Sequence, residues 1–149
     1  MLDGMSFMDA LVPDVVAIVK RNVALSGEEY CVQDTSFGGG RYTGQRATFD
    51  TLLRHGYGRM DFDNGDWYQG EWWMGDMQGL GCFYHKKRSF GFQGTFDANC
   101  SVYGTYYFGS ADKCEYEVEN KVVVHVLRER SWEAVNVMQD SFWESVYKL

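Results

Sequence analysis

The sequence has no apolar run that approaches the roughly 20 residues a helix needs to cross a bilayer. It also has no basic residue before Lys20, whereas Asp3 and Asp9 stand close to the start. A secretory leader begins with positive charge and a transit peptide is rich in arginine, so neither is expected here. These absences predict a cytoplasmic protein, with any membrane contact peripheral.

Paired cysteines are missing as well. The four cysteines, Cys31, Cys82, Cys100 and Cys114, form no CxxC pair and show no regular spacing. A reduced compartment with buried thiols is therefore favoured over an oxidised, disulfide-linked scaffold. The three histidines are also far apart and form no pair at the spacing of zinc sites. We predict no metal and no cofactor.

Positive charge is scarce, because 14 basic residues oppose 21 acidic ones and the formal charge is −7. Such a chain repels the phosphate backbone, which argues against nucleic acid as a partner. Neither a GxSxG elbow nor a GxxxxGK[ST] phosphate loop occurs. The sequence therefore predicts a protein that is not an enzyme. The competing hypothesis of an enzyme or enzyme subunit is supported only by histidines and cysteines without an assigned role.

What the chain has in excess is glycine and aromatic residues, with 17 glycines and 17 % aromatics against a single proline. An aromatic-x-glycine triplet recurs about every 24 residues, and a last copy has valine in place of the glycine. The copies are Tyr42-Thr43-Gly44, Tyr68-Gln69-Gly70, Phe92-Gln93-Gly94 and Tyr116-Glu117-Val118. Self-similarity at a fixed period indicates a repeat architecture.

A second glycine signal runs in phase with the first. It consists of Gly56 and Gly58, then Gly79 and Gly81, then Gly104 alone. Each is followed by an alternating or aromatic strand and then by a turn, of which Asn64-Gly65 is the strongest hairpin signal. Glycine allows close backbone approach, and rings on a neighbouring strand can cover the gaps that it leaves. The pattern predicts adjacent hairpins in one antiparallel sheet.

The acidic segment 61–66 has a second interpretation as a calcium loop. In an EF-hand loop that begins at Asp61, glycine should stand at position six and glutamate at position twelve. Here Gly65 arrives one position early, and Trp72 stands where the glutamate is needed. We therefore predict a hairpin turn.

The segments before and after the repeats have hydrophobic spacings that differ from that of the repeats. Valines at helical spacing predict a helix from about Pro13 to Ala24, which either packs on the rest of the chain or docks on a partner. Residues 122–127 favour a strand, and apolar residues at helical spacing follow Ser131, so this segment is either a strand followed by a helix or one longer helix. This organisation gives an N-terminal helical flank over 1–40, a repeat array over 41–118 and a C-terminal strand and helix cap over 119–149.

Residues 68–81 closely resemble a MORN (membrane occupation and recognition nexus) repeat, whose pattern is roughly YxGxWxxGxxxGxG. The residues in register are Tyr68, Gly70, Trp72, Gly75, Gly79 and Gly81. The first copy keeps Tyr42, Gly44, Gly56 and Gly58 but has three extra residues between its glycine pairs, and the third copy keeps Phe92, Gly94 and Gly104. The resemblance covers residues 41–118.

This resemblance implies a mainly β fold, an elongated antiparallel hairpin meander, while the N- and C-terminal helices are predicted by the hydrophobic spacing of the flanks alone. Members of the family act as scaffolds in cytoskeletal and flagellar assemblies and associate with other proteins or with themselves. We therefore expect a non-catalytic structural or adaptor protein of a larger eukaryotic assembly. The expected location is the cytoplasm and cytoskeleton, including the axoneme of a cilium or flagellum.

Two surfaces are candidates for binding. Aromatic residues are the first candidates, because a single-layer sheet leaves rings exposed and rings dominate binding hot spots. These are Trp72, Trp73, Phe83, Tyr84, Tyr106, Tyr107, Trp132 and Trp143. The alternative is a peripheral membrane contact, in which the basic cluster Lys86, Lys87 and Arg88 binds phosphoinositide headgroups. A solvated hairpin tip is the simpler interpretation of those three charges.

Overall fold

The structure is a computed structural model that describes residues 12–26, 29–87, 90–108, 113–119 and 122–130. Of residues 24–26, and of those beyond Gly104, it describes the backbone alone. The helix predicted after Ser131 lies outside the described residues, as do Trp132, Trp143 and Arg88.

One antiparallel sheet contains every strand of the described residues, and its strands are ordered as they are in the chain. They are β1 (Tyr30–Asp34), β2 (Gly40–Arg46), β3 (Arg54–Phe62), β4 (Trp67–Trp73), β5 (Asp76–His85), β6 (Phe90–Asp97), β7 (Cys100–Phe108), β8 (Lys113–Glu119) and β9 (Val122–Arg130). The predicted mainly β hairpin meander is confirmed. The sheet extends beyond the repeat segment on both sides, since β1 precedes residue 41 and β9 follows residue 118.

Short turns join most of the strands. At the predicted Asn64-Gly65 turn, the Gly65 N–H donates to Phe62 O at 3.0 Å and Gly65 takes a φ of 93°. Two further turns have positive φ at both central residues, Met74-Gly75 at 50° and 90°, and Ala98-Asn99 at 47° and 69°. Such paired positive angles are typical of two-residue hairpin loops, whose backbone twist matches that of the strands.

A single helix, α1 (Val15–Ser26), precedes the sheet in the described residues. It begins after Asp14, whose Oδ1 accepts the Val16 N–H at 2.9 Å and caps the first turn. The predicted N-terminal helix is confirmed, although Pro13 lies just before the cap rather than in the first turn. The helix packs against β1, β2 and β3 and buries Val19 completely, so its valine stripe packs on the chain itself.

The sheet has two apolar faces, because successive side chains of a strand point to opposite sides. We call the side under α1 the helix face; its buried members are Ile18, Val19, Tyr57, Trp67, Cys82 and Tyr84. The opposite side is the ring face; its buried members are Tyr42, Met60, Tyr68, Trp72, Phe92 and Phe96. Both faces therefore exclude water over the middle of the sheet.

A row of directly opposed glycines crosses the ring face from β2 to β7. This glycine row consists of Gly44, Gly58, Gly70, Gly81, Gly94 and Gly104, and it ends against Val118 in β8. An added Cβ would lie 2.6 Å from Tyr42 Cζ at Gly58, 2.5 Å from Tyr68 Cζ at Gly81, and 2.7 Å from Phe92 Cζ at Gly104. In each of these three repeats, one aromatic ring therefore packs over a glycine of the next strand.

Tyr42 and Tyr68 also make the same hydrogen bond. The Tyr42 hydroxyl donates to Gln45 O at 2.6 Å, and the Tyr68 hydroxyl donates to Glu71 O at 2.7 Å. Both tyrosines are fully buried, so the carbonyl satisfies a hydroxyl that water cannot reach. The two residues occupy equivalent positions, as the internal period predicts.

Candidate interaction surface

The meander places alternate connections at opposite ends of the strands. One end, which we call the loop end, carries residues 47–53, 74–75 and 98–99. The other, the turn end, carries residues 35–39, 63–66 and 86–87. At ~3.3 Å per residue, a strand as long as β5 separates the two ends by about 30 Å.

The loop end carries four large apolar side chains that are exposed to solvent. The exposed fractions are 68 % for Phe49, 63 % for Leu52, 60 % for Trp73 and 44 % for Met74. The His55 imidazole lies between two of them, with ring centroids 4.5 Å from Trp73 and 6.3 Å from Phe49. We call Phe49, Leu52, Trp73 and Met74 the exposed cluster.

Hydrogen bonds hold the loop that presents Phe49 and Leu52. The Ala47 N–H donates to Leu53 O at 3.0 Å, and the Leu53 N–H donates to Asp50 O at 3.1 Å. The Asp50 carboxylate accepts the Leu52 N–H at 3.0 Å. Because these three backbone N–H groups are satisfied within the loop, its apolar side chains project from a defined support.

The start of β3, which directly follows this loop, is hydrogen-bonded to the turn between β4 and β5. The Gly75 N–H donates to Arg54 O at 2.9 Å, and Arg54 Nη2 donates to Gly75 O at 3.1 Å. His55 Nδ1 accepts the Met74 N–H at 3.0 Å. Partial burial lowers the pKa of the Arg54 guanidinium, which lies 4.6 Å above the Trp72 ring. These contacts fix Trp73 and Met74 relative to the loop.

Carboxylates border the exposed cluster. Asp50 and Asp97 are exposed, and Asp76 lies directly opposite Trp73 in the hairpin. Two arginines at this end already have partners: Arg54 binds Gly75 O, and Arg46 lies 3.7 Å from both Glu29 and Asp34. The border of the exposed cluster is therefore acidic.

The turn end has a different character. Lys86 and Lys87 are exposed, and the Lys86 N–H donates to the Asp66 carboxylate at 2.9 Å. Asn64 Nδ2 donates to the same carboxylate at 3.1 Å. The acidic segment 61–66 thus forms the predicted hairpin turn. Within the described ranges, no group of three or more His, Cys, Asp or Glu is placed to hold a metal ion.

The aromatic candidates have different environments. Trp72 is buried on the ring face, where its Nε1 donates to Gly58 O at 3.0 Å, and Tyr84 is buried on the helix face. Phe83 is half-buried on the ring face, whereas Trp73 is exposed. Burial assigns Trp72 and Tyr84 to the stability of the sheet rather than to surface contact.

The Tyr106 backbone pairs with Phe92, and the Tyr107 backbone pairs with Gly91. For both tyrosines the structure describes the backbone alone. Three members of the exposed cluster, Phe49, Leu52 and Met74, are not found by sequence periodicity, because they lie in connections that have none. The sequence feature that could have identified them is the presence of large apolar residues in connections, where polar turn residues are usual.

The Cys31 and Cys82 thiols are not activated for nucleophilic chemistry. Burial raises the pKa of Cys82 well above its ordinary value. Burial also raises the pKa of Cys31, with a smaller contribution from the nearby Asp34 carboxylate. Reactive cysteines have lowered rather than raised pKa values.

No protein-family model matches the chain, and no curated protein matches it significantly. The resemblance to MORN repeats therefore stays a prediction from the motif. The architecture of the described residues is a single antiparallel meander. Aromatic rings cover the glycine row on one face, and one helix packs on the opposite face. No helix in the described part of the chain is long and apolar enough to span a membrane.

Proposed function

We propose that this chain is a non-catalytic structural or adaptor protein that docks other proteins of a larger eukaryotic assembly. The observation that carries the proposal is the exposed cluster, in which Phe49, Leu52, Trp73 and Met74 are 44–68 % exposed at one end of the sheet. Contiguous exposed apolar side chains mark interaction sites, and tryptophan is enriched among the residues that dominate binding energy. The cytoskeletal or axonemal setting follows from the resemblance alone.

The support beneath the exposed cluster strengthens this proposal. Arg54 and His55, which begin β3 directly after the loop, are hydrogen-bonded to the turn at Met74 and Gly75, and the Arg54 guanidinium packs on the buried Trp72. A surface held in place before binding loses less conformational entropy when a partner arrives. The sheet thus acts as a rigid platform for the cluster.

Peripheral membrane binding is supported less well by the same geometry. A membrane contact of this kind needs basic residues and inserted rings on one surface. Lys86 and Lys87 lie at the turn end, about 30 Å from the exposed cluster on the length of a ten-residue strand. The basic residues and the exposed rings therefore do not form one continuous surface.

Affinity capture from an extract of ciliated cells tests the proposal. The bait is the full chain, compared with Trp73→Ser/Phe49→Ser and with Val32→Ser, which removes an apolar side chain that is 54 % exposed on β1. We expect the original chain and Val32→Ser to retain the same proteins, and the double variant to lose them. Equal recovery by all three baits would count against the exposed cluster as the docking site.

A further inference from the structure

The acidic border indicates which kind of partner the exposed cluster binds, an inference that rests on the proposed function. We propose that the cluster binds a protein segment whose apolar side chains are flanked by lysines or arginines. The apolar residues pack on Phe49, Leu52, Trp73 and Met74. The flanking cations then lie opposite the carboxylates of Asp50, Asp76 and Asp97.

The net charge around the exposed cluster depends on which charged side chains at the loop end are already neutralised by a partner. The Arg54 guanidinium donates to Gly75 O and stacks on Trp72, so it faces the body of the sheet. Arg46 lies between Glu29 and Asp34, which it neutralises in part. Asp50 and Asp97 stay exposed, and their hydrogen bonds come from neutral groups, the Leu52 N–H and Gln78 Nε2.

Neutral donors leave the carboxylate charge in place. Asp76 accepts the Asn99 amide at 2.7 Å, which is again a neutral donor. Asp50 and Asp97 therefore border the apolar surface with negative charge, whereas the nearby Arg54 guanidinium partly offsets the charge of Asp76. Charges at the rim of an interface steer the approach of an oppositely charged partner and reject one of the same sign.

The apolar part of the site is a strip of aromatic rings. The Phe49, His55 and Trp73 rings are in consecutive contact, and Met74 is joined to His55 through its backbone N–H. Rings provide a large contact area at low entropic cost, while methionine adapts its shape to a partner. A short segment with large aliphatic or aromatic anchors fits such a strip.

The acidic border argues against two other classes of partner. Anionic lipid headgroups and nucleic-acid phosphates are repelled by the same carboxylates that attract lysine and arginine. The exposed lysines 86 and 87 do not offset this, because they are at the turn end. The loop end therefore selects a cationic protein segment over a phosphate surface.

Binding of a synthetic peptide to the full chain tests the inference. The probe is a helical peptide of about 18 residues, or five turns, with leucines on one face and lysines on the other. A counterpart with glutamate in place of lysine is the charge control. Titration calorimetry at two salt concentrations measures both the affinity and its electrostatic part.

We expect the lysine peptide to bind and the glutamate peptide not to bind. Trp73→Ser/Phe49→Ser should weaken binding about tenfold or more, as loss of a hot-spot tryptophan does. Asp50→Asn/Asp97→Asn should weaken it about threefold to tenfold and reduce its salt dependence, because the border charges are removed. Asn keeps the oxygen that accepts the Leu52 and Gln78 hydrogen bonds.

Two matched controls separate this site from general attraction to an acidic protein. Asp63→Asn removes one charge at the turn end, and Val32→Ser removes an exposed apolar group on β1. Both should leave the affinity within about twofold, as surface changes away from a site usually do. Far-UV circular dichroism checks that every variant keeps the sheet.

Several outcomes would overturn the inference. These are failure of the lysine peptide to bind, equal binding of the glutamate peptide, or a loss per charge at Asp63 as large as at Asp50 and Asp97. Flotation of the chain with phosphatidylserine vesicles that requires Trp73 would also overturn it, in favour of a lipid surface. If captured proteins depend on Trp73 but not on Asp50 and Asp97, the proposed function stands and the charge assignment falls.

Discussion

The two faces of the sheet bury their side chains by different means. On the ring face, rings of one repeat lie over glycines of the next strand, so the strands themselves supply the cover. On the helix face, Ile18 and Val19 come from α1, which lies outside the repeated segment. The ring face is therefore encoded by the repeat, whereas the helix face depends on a segment that the repeat does not specify.

Trp72 and Trp73 offer the sharpest test of this contrast, because the two neighbours point to opposite sides of β4. Trp72→Ala should lower the free energy of unfolding by about 3–5 kcal/mol, since a buried ring and its contacts with Tyr42 and Tyr68 are lost. The matched control Trp73→Ala should cost less than about 1 kcal/mol, because that side chain is exposed. Urea denaturation measures both, and equal losses would contradict the assignment of faces.

Adding a methyl group within the glycine row should have the next largest effect on the free energy of unfolding. Gly81→Ala places a methyl group 2.5 Å from Tyr68 Cζ in a buried site, and we expect a loss of about 2–3 kcal/mol. In a Tyr68→Leu background the same change should cost at least about 1 kcal/mol less, because the ring is gone. An unchanged cost in that background would show that the strain arises elsewhere, such as at the opposed Gly70 backbone.

Shortening an α1 side chain that packs on the helix face should also lower the free energy of unfolding. Val19→Ala removes two methyl groups from a fully buried side chain and should cost about 2 kcal/mol. The control Lys20→Ala, one position on and exposed, should stay within about 0.5 kcal/mol. If both variants unfold at the same urea concentration as the original chain, α1 does not contribute to stability.

The smallest effect concerns the two buried hydroxyls of the ring face. Tyr68→Phe removes the hydrogen bond to Glu71 O and should cost about 1 kcal/mol at neutral pH. Burial also raises the pKa of Tyr42 and Tyr68 well above the ordinary value of 10.0. The unfolded chain thus releases these protons first, so their contribution is complete below pH 10 and is lost as the pH rises through the folded-state pKa.

Denaturation as a function of pH checks the sign of this linkage. The free energy of unfolding should fall above pH 10, and it should fall less steeply in the Tyr42→Phe/Tyr68→Phe variant. A fall of the same steepness in both proteins would show that other groups, such as the buried Cys82 thiol, account for the alkaline loss.

The repeat period was sufficient to predict the meander and the contact between rings and glycines. The Asn64-Gly65 turn was also predictable, since both are common turn residues and Gly65 takes the positive φ that glycine tolerates. Met74-Gly75 and Ala98-Asn99 were not predicted: their second residues favour positive φ, but methionine and alanine are uncommon there. At Met74 and Ala98 the pairing of the strands imposes an angle that the residue does not prefer.

Trp73 of the exposed cluster was predicted from the sequence, whereas Phe49 and Leu52 were not, for a related reason. The first repeat has three extra residues between its glycine pairs, and loop 47–53 lies in that interval, between β2 and β3. Phe49 and Leu52 therefore stand where the chain departs from its own period. Loops accept such insertions at little thermodynamic cost, which makes them suitable places for side chains with a role outside the fold.

Each strand of the sheet pairs only with the strands that precede and follow it in sequence. Contacts of this kind join residues that are close along the chain, and a fold of low contact order forms rapidly. During synthesis, a hairpin needs only its own two strands to be complete before it pairs with the hairpin made just before it. This topology therefore allows the hairpins to assemble in the order in which they are translated.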